Sequence, residues 1–303
     1  MMDQELTFRL ARPTDFDEIL KLSEEIYDGH DYLPATYHTW MKMEKVAVML
    51  AYSGDKLVGL VASSVVDDER TSIRRAARTL AEFRGQGVFS QLSQAMNEFV
   101  RRHYPNVCRE RFSSIENRPT VTKIVQLDIL WSRTWPSHHF PTTNNSIQIE
   151  ACSKEYLCDV VFSRPVAQKL FPENVIILDC FPIEPSRTNI DYFQQERDLH
   201  FAVEKCGDGA FPRSVSFGGL SPAVKCMHWY VTVYTSDPKL YEAHLLYQFN
   251  RACDVIDGDF IFRSFQDKSL TPHGRRVLQE QLQLELEEEM SKTSVMLYEN
   301  KLD

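Results

Sequence analysis

Phe83-Arg84-Gly85-Gln86-Gly87-Val88-Phe89 follows a run that reads as a strand, Ile73 to Leu80. It opens a run that reads as a helix, with Val88, Leu92, Met96 and Phe99 at helical spacing. A glycine-bearing turn between strand and helix leaves several backbone N–H groups free and pointing outward. The helix dipole adds positive potential there, so the turn suits a phosphate or pyrophosphate. Gly85 and Gly87 let an anion come close to the backbone, where a Cβ would intrude, and Arg84 adds a side-chain donor. So short a motif is often only a tight turn; its strand–turn–helix setting favours the anion site.

Outward from this turn toward the N-terminus, Leu6 to Leu10 reads as a first strand. A helix follows, with Thr14 and Asp17 at capping-box spacing and Phe16, Ile19, Leu20, Ser23 and Ile26 on one face. Next come a polar and aromatic loop, Tyr27 to Pro34, and a second helix, Ala35 to Lys45. Val46 to Tyr52 and Lys56 to Val66 read as a hairpin around Ser53-Gly54-Asp55. Toward the C-terminus, Asn106 to Ser113 reads as a strand and Asn117 to Val125 as a short helix. Ser132 to Ser146 is rich in Pro, Ser, Thr, Asn and His and is taken as the domain boundary. Beyond it, strands are expected at Val175 to Cys180, His228 to Thr235, Phe260 to Phe265 and Ser294 to Tyr298. Helices are expected at Pro238 to Ile256 and Pro272 to Glu289. Strands and helices mixed with hairpins predict an α/β protein with a mixed sheet.

The chain of 303 residues suggests two domains, here 1–135 and 136–303. Its formal charge of -9 argues against a general binder of nucleic acid or anionic membrane, both of which need a basic face. Met1 to Leu10 carries Asp3 and Glu5 and lacks the apolar core of a signal peptide, and no apolar run approaches a membrane span. The seven cysteines are odd in number and none has CxxC spacing, which fits reduced thiols of a cytoplasmic protein. With no HExxH and only adjacent His138-His139, no metal site is expected.

Strand, two helices, three strands, then strand–RGQG–helix resembles the GNAT family of acetyl-CoA-dependent N-acetyltransferases. Their signature, Arg/Gln-x-x-Gly-x-Gly/Ala, falls on Arg84, Gly87 and Phe89, of which the first two match and Phe89 departs. Ile26-Tyr27-Asp28-Gly29, Asp31-Tyr32-Leu33-Pro34, Tyr37-His38-Thr39-Trp40, Val175-Ile176-Ile177 and Pro182 to Asn189 are similar to the histidine N-acetyltransferases of that family. The resemblance implies tandem GNAT-like acyl-CoA N-acyltransferase domains, the first binding acetyl-CoA and the second without an Arg-x-x-Gly-x-Gly loop. It also implies transfer of acetyl to the α-amine of a small amino acid, histidine first. No metal, nucleic acid or membrane enters this reading, and a homodimer is compatible with it.

Such chemistry needs the pyrophosphate held, the thioester carbonyl polarised, and a proton moved from the ammonium. The resemblance implies that Arg84, Gly85, Gln86, Gly87, Val88 and Phe89 hold the cofactor. It puts the polarising N–H near Thr79 and a CoA contact at Asn117, for which helix capping is the alternative. An amino-acid carboxylate suits the two parallel donors of an Arg, so Arg78 and Arg75 are candidates; bordering a solvated sheet edge is the other reading. Arg75 stands where many members carry a Glu base, and 117–130 has no Tyr to act as acid. His38 is the remaining candidate base, against a packed His beside Tyr and Trp. Tyr27, Tyr32 and Tyr37 are candidates for the substrate pocket or for packing over the core, and Asp31 is a further candidate for the substrate pocket. Two alternatives stay open at this level: a CoA-binding or interaction protein that has lost its acid–base residues, and a protein N-terminal or lysine acetyltransferase.

Overall fold

The structure is a computed structural model in which residues 5–24, 29–134, 147–207 and 209–302 are described. By its own contacts the chain divides into two compact units. The first comprises Met1–Phe112, Pro222–Lys225 and Glu299–Asp303; the second comprises Ser113–Ser221 and Cys226–Tyr298. The expected boundary after residue 135 lies outside the described residues, and the contacts change unit earlier, after Phe112.

The first unit runs β1 (Leu6–Leu10), α1 (Phe16–Ser23), α2 (Leu33–Trp40), β2 (Val46–Ser53), β3 (Lys56–Val66), β4 (Thr71–Thr79), α3 (Val88–His103) and β5 (Arg109–Ser114, of which 109–112 belong here). Its sheet order is β1-β2-β3-β4-β5, antiparallel except for the parallel β4–β5 pair. The hairpin expected at 46–66 forms, and Val46 pairs with Ser64. On α3, Val88, Leu92, Met96 and Val100 are buried, one every four residues, against Met49, Ala51, Val58, Val61 and Val65. Four such side chains taken from water contribute on the order of 6–12 kcal/mol before entropy is subtracted. That anchors the helix and the turn that precedes it. The helix also approaches β3 closely: a Cβ on Gly59 would stand 2.9 Å from the Arg78 carbonyl oxygen and 3.1 Å from Leu92.

Helix α1 buries Ile19 and Ser23 of the expected face and also Leu22, which lay outside it, while Phe16 and Leu20 are half-buried; the box expected between Thr14 and Asp17 is replaced. Asp15 instead accepts the Arg12 N–H at 2.7 Å and the Arg9 guanidinium at 2.7 and 2.9 Å, and the Arg9 bonds hold its carboxyl below the usual range. Helix α2 starts two residues before the expected point. Pro34 sits in its first turn, where a missing N–H costs nothing.

The second unit runs β6 (Thr122–Arg133), β7 (Ile149–Ala151), α4 (Lys154–Tyr156) into a π-helical turn (Leu157–Val161), α5 (Arg164–Leu170), β8 (Ile176–Leu178), β9 (Phe181–Ile183) and α6 (Arg187–Gln194). It continues with β10 (Leu199–Glu204), β11 (Val215–Pro222), β12 (Met227–Tyr234), α7 (Pro238–Val255), β13 (Phe260–Gln266), α8 (Thr271–Arg275) into a π-helical turn (Arg276–Gln281), β14 (Glu285–Leu286), α9 (Glu288–Ser291) and β15 (Ser294–Lys301, within the unit to Tyr298). Its sheet order is β15-β6-β13-β12-β11-β10-β7, with β14 on β6 and β8–β9 apart. Helix α7 lays Leu245 and Phe249 on Trp229, Val231 and Phe262.

Two sequence expectations fail in this unit. Residues 117–121 form a loop and Thr122 to Val125 already belong to β6, because Pro119 interrupts a helix and Val121, Thr122, Ile124 and Val125 are β-branched. The helix expected over Pro272 to Glu289 ends at the π-helical turn. Past it Leu282, Leu284 and Leu286 are all buried in the α7 core, and that two-residue period draws the segment into the extended strand β14.

Candidate active site

Strand β4 departs from regular geometry where the chemistry would need it. Leu60 pairs with Arg78 and Ala62 with Arg75, so Val61 alone faces both Ala76 and Ala77. This is a β-bulge, and Ala76 sits at φ +51°, a left-handed conformation that a residue with a Cβ adopts only when its surroundings impose it. On the other side, β4 pairs with β5 only over Thr71–Ile73. Beyond Ile73 the pairing of β4 with β5 stops. The bulge falls at Ala76–Ala77, past the end of that pairing. Thr79, the expected polarising position, is instead paired with Gly59 and its carbonyl accepts from Arg84 Nε at 3.2 Å.

The turn after β4 is exposed from Arg84 through Gly87, with Gly85 at φ +76° and Gly87 at φ +80°. Gly87 is the residue before the first turn of α3. A side chain there would strain the backbone, although the space outside holds nothing nearer than Gln91 Nε2 at 4.0 Å. The first intrahelical bond runs from Gln91 N–H to the Gly87 oxygen. Among the described residues, the N–H groups of Gly85, Gln86, Gly87, Val88, Phe89 and Ser90 meet no acceptor, which leaves them to an anion. Val88 turns its side chain into the core, and Gln86 Nε2 donates to the Glu82 oxygen at 2.6 Å. Phe89, the departure from the signature, is 42% exposed and lies 5.2 Å under the Arg74 guanidinium, so its bulk falls outside the turn.

Among the expected substrate contacts, Arg78 and Asp31 find each other. Arg78 Nη2 and Nε donate to the two Asp31 oxygens at 2.7 and 3.2 Å, and both side chains are buried. Neither therefore stands as a separate substrate contact. Arg75 is buried as well: Nη1 donates to Ser64 Oγ at 3.0 Å and its guanidinium lies 4.0 Å over the Trp40 ring. The solvated-edge reading fails for both. Tyr32 is half-buried, edge-on to Trp40 at 6.0 Å and near the Arg78 guanidinium at 5.8 Å.

Tyr37 is core. It is fully buried, its hydroxyl donates to the Arg12 oxygen at 2.6 Å, and burial pushes its pKa up to about 12. His38 is exposed and stacks on Phe16 of α1 with ring centroids 4.6 Å apart. Trp40, which meets Arg75, is two residues on, about 200° round the helix. His38 thus faces away from Arg75, and the structure does not join the two expected catalytic residues. Tyr27 lies outside the described residues. Asn117 belongs to the second unit, where the Tyr298 hydroxyl donates to its Oδ1 at 3.4 Å.

In the second unit β12, α7 and β13 repeat the connection of β4, α3 and β5: a strand, a helix and a parallel strand. There β12 and β13 pair in unbroken register from Met227–Phe260 to Thr232–Phe265. The residue before α7 is Asp237, whose carboxylate accepts the N–H groups of Lys239 and Leu240. An acid already fills the place an anion would take, and no gap opens between the strands. Two open clefts of about 490 and 620 Å³ lie at other places, one beside Cys152 and Phe211 in the second unit and one beside Arg9 and Tyr52 in the first.

Sequence reasoning missed the bulge, the Trp40–Arg75 stack and the Asp31–Arg78 pair. The bulge has no glycine to betray it, and the two pairings span 35 and 47 residues along the chain.

Comparison with known proteins bears on the same parts. Residues 145–267 match the family model "Histidine N-acetyltransferase, C-terminal", a span that contains the stretches quoted from the second half. The chain is 38% identical over 106 residues to histidine N-acetyltransferase of Oreochromis niloticus, which covers 34% of this chain and 32% of that protein. It is 36% identical over 105 residues to that of Xenopus tropicalis, covering 35% and 32%. The chain thus spans about a third of the length of these relatives. Among solved structures, it is similar to a tandem GNAT protein from the clavulanic acid biosynthesis pathway, with a TM-score of 0.60 at 11% identity over 98% of both chains. It is also similar to a GCN5-related N-acetyltransferase from Sphaerobacter thermophilus, with a TM-score of 0.62 at 10% identity over 99% of this chain and 96% of that one. The chain has the tandem GNAT fold, and its sequence likeness is to the histidine N-acetyltransferases.

Proposed function

We propose that this chain is an acetyl-CoA-dependent N-acetyltransferase whose first unit is the catalytic one and whose acceptor is the α-amine of a small amino acid, histidine first. The observation that carries this reading is the conjunction, in one unit, of an open helix N-terminus behind Gly87 and a bulged strand that parts from β5 after Ile73. Backbone N–H groups of Gly85 to Ser90 hold the pyrophosphate. Backbone donors at Ala76–Ala77 meet the thioester oxygen, where charge develops. Acetyl-CoA supplies the activated acyl group. The reading leaves the second unit no cofactor role, since Asp237 fills its helix N-terminus.

No histidine or tyrosine is assigned to proton transfer. His38 faces away, and the Tyr37 hydroxyl is buried on the Arg12 oxygen. An amine that arrives in its neutral fraction has already left its ammonium proton in bulk water. As its nitrogen bonds the thioester carbon and the C–S bond breaks, the remaining N–H proton passes through water to the departing CoA thiolate, and no protein base is needed. The histidine assignment rests on the sequence likeness. The test is release of CoA thiol with free histidine, histidine amide and a peptide N-terminus as acceptors. Free histidine should be fastest, because a site built around a polar group rejects analogues lacking it. Equal or faster turnover of the peptide would move the protein to the protein acetyltransferases.

A further inference from the structure

Arg78 bonds through its side chain to two different parts of the first unit. Its Nη2 and Nε fork onto Asp31, at 2.7 and 3.2 Å. Its Nη1 donates to the carbonyl of Ala77 at 3.0 Å, which is the second residue of the β4 bulge. Asp31 in turn accepts the Leu33 N–H at 3.0 Å, the first residue of α2, and its own carbonyl accepts from Val224 N–H at 3.2 Å. The carboxylate is fully buried and the guanidinium nearly so. Such a fork fixes a plane as well as a distance, which a single ammonium cannot do.

We infer that Arg78 is a positioning residue: held by Asp31, it clamps the Ala77 carbonyl and so fixes the bulge whose backbone donors receive the thioester oxygen. This inference rests on the acetyltransferase reading for the meaning of those donors. The geometry itself stands apart from it. Ala76 at φ +51° is an unfavourable conformation that the strand would leave if its surroundings let it. Lys56–Val66 supplies only one residue, Val61, against two on β4, so pairing with β3 does not pin the bulge. Among the described residues, the side-chain donor bonded to the bulge carbonyl of Ala77 is Arg78's own, and Asp31 orients it. A misplacement of the donors by about 1 Å is enough to cost about a hundredfold in rate. The pair therefore works through the backbone and touches neither the cofactor nor the acceptor.

The experiment compares native protein with Arg78→Lys and Asp31→Asn, two variants that keep size and most packing. Amide hydrogen exchange across 74–80 is read alongside kcat and both KM values. A positioning role predicts exchange at positions 75 and 78, the strand-paired residues that flank the bulge, at least tenfold faster in both variants, with protection in α3 unchanged. It also predicts kcat lower by ten- to a hundredfold, while KM for acetyl-CoA and for the amino acid stays within about threefold. The double variant should be no worse than the poorer single one, because each change breaks the same link. A tenfold or larger rise in KM for the amino acid with kcat unchanged would overturn the inference and make Arg78 a substrate clamp. Unchanged exchange at positions 75 and 78 would overturn it too. If native protein turns over no amine, the acetyltransferase reading falls, and the exchange data still decide whether Arg78 holds the bulge.

Discussion

The Asp237 carboxylate accepts the backbone N–H of Lys239 at 2.9 Å, and with that bond the second unit closes the helix N-terminus that the first unit leaves open behind Gly87. One connection, strand to helix to parallel strand, occurs twice in the chain with opposite outcomes for an anion. The difference is chemical: a glycine at φ +80° presents bare N–H groups, whereas an aspartate supplies its own negative charge to them.

Gly87→Glu should abolish acetyl-CoA binding, since it adds both a strained φ and a carboxylate where phosphate belongs. A ligand at about 100 times its Kd stabilises the folded state by about 2.7 kcal/mol. Native protein and Asp237→Asn should both show that rise in Tm, and Gly87→Glu should show none. A rise preserved in Gly87→Glu would place the cofactor elsewhere.

His38→Ala should leave kcat within about threefold of native. Its ring rests on Phe16 at the surface, on the side of α2 away from Arg75. A loss of a hundredfold or more, of the size that removal of a general base produces, would restore His38 as the base.

Arg75→Met and Trp40→Leu should couple. The guanidinium stands 4.0 Å over the indole, with both side chains buried, a geometry in which cation–π attraction reaches about 2 kcal/mol. Urea unfolding of both single variants and the double variant should give a coupling of about 1–2 kcal/mol. A coupling near zero would mean that the two merely pack side by side.

Stability should fall on mild acidification because of His244. Its ring nitrogens lie 2.9 Å from Ser216 Oγ and 2.9 Å from Ser214 Oγ, and complete burial lowers its pKa to about 3. The unfolded chain binds this proton at about pH 6.5 and the folded chain does not, so the contribution of neutral His244 is whole above pH 6.5 and is lost progressively toward pH 3. The loss at pH 5 amounts to about 2 kcal/mol. Asp179, whose carboxyl is held low by the Arg263 and Arg197 charges against the cost of burial, adds its own loss only below the ordinary carboxylate range. Urea unfolding at pH 7 and pH 5 therefore separates His244 from Asp179, and His244→Gln should flatten the difference. An equal slope in that variant would assign the loss to another group.

What the sequence by itself determined is local and periodic. The spacing of Val88, Leu92 and Met96 announces α3, the turn residues around Gly54 announce the hairpin, and glycines before a helical run announce an anion-binding turn. These signals survive in one dimension because the residues that make them lie within one or two turns of each other. What only the tertiary structure decided is pairing at a distance and conformation imposed by neighbours. Asp31 and Arg78 each read as a hand held out to a substrate until folding brought them together. Tyr37 read equally as pocket or core until its hydroxyl met the Arg12 oxygen. The bulge at Ala76 has no sequence signal at all, because an alanine takes a left-handed φ only when the surrounding contacts outweigh its own preference. The strand at β14 follows from the same cause: its leucines fit a helix nearly as well as a strand, and burial against α7 chose between them.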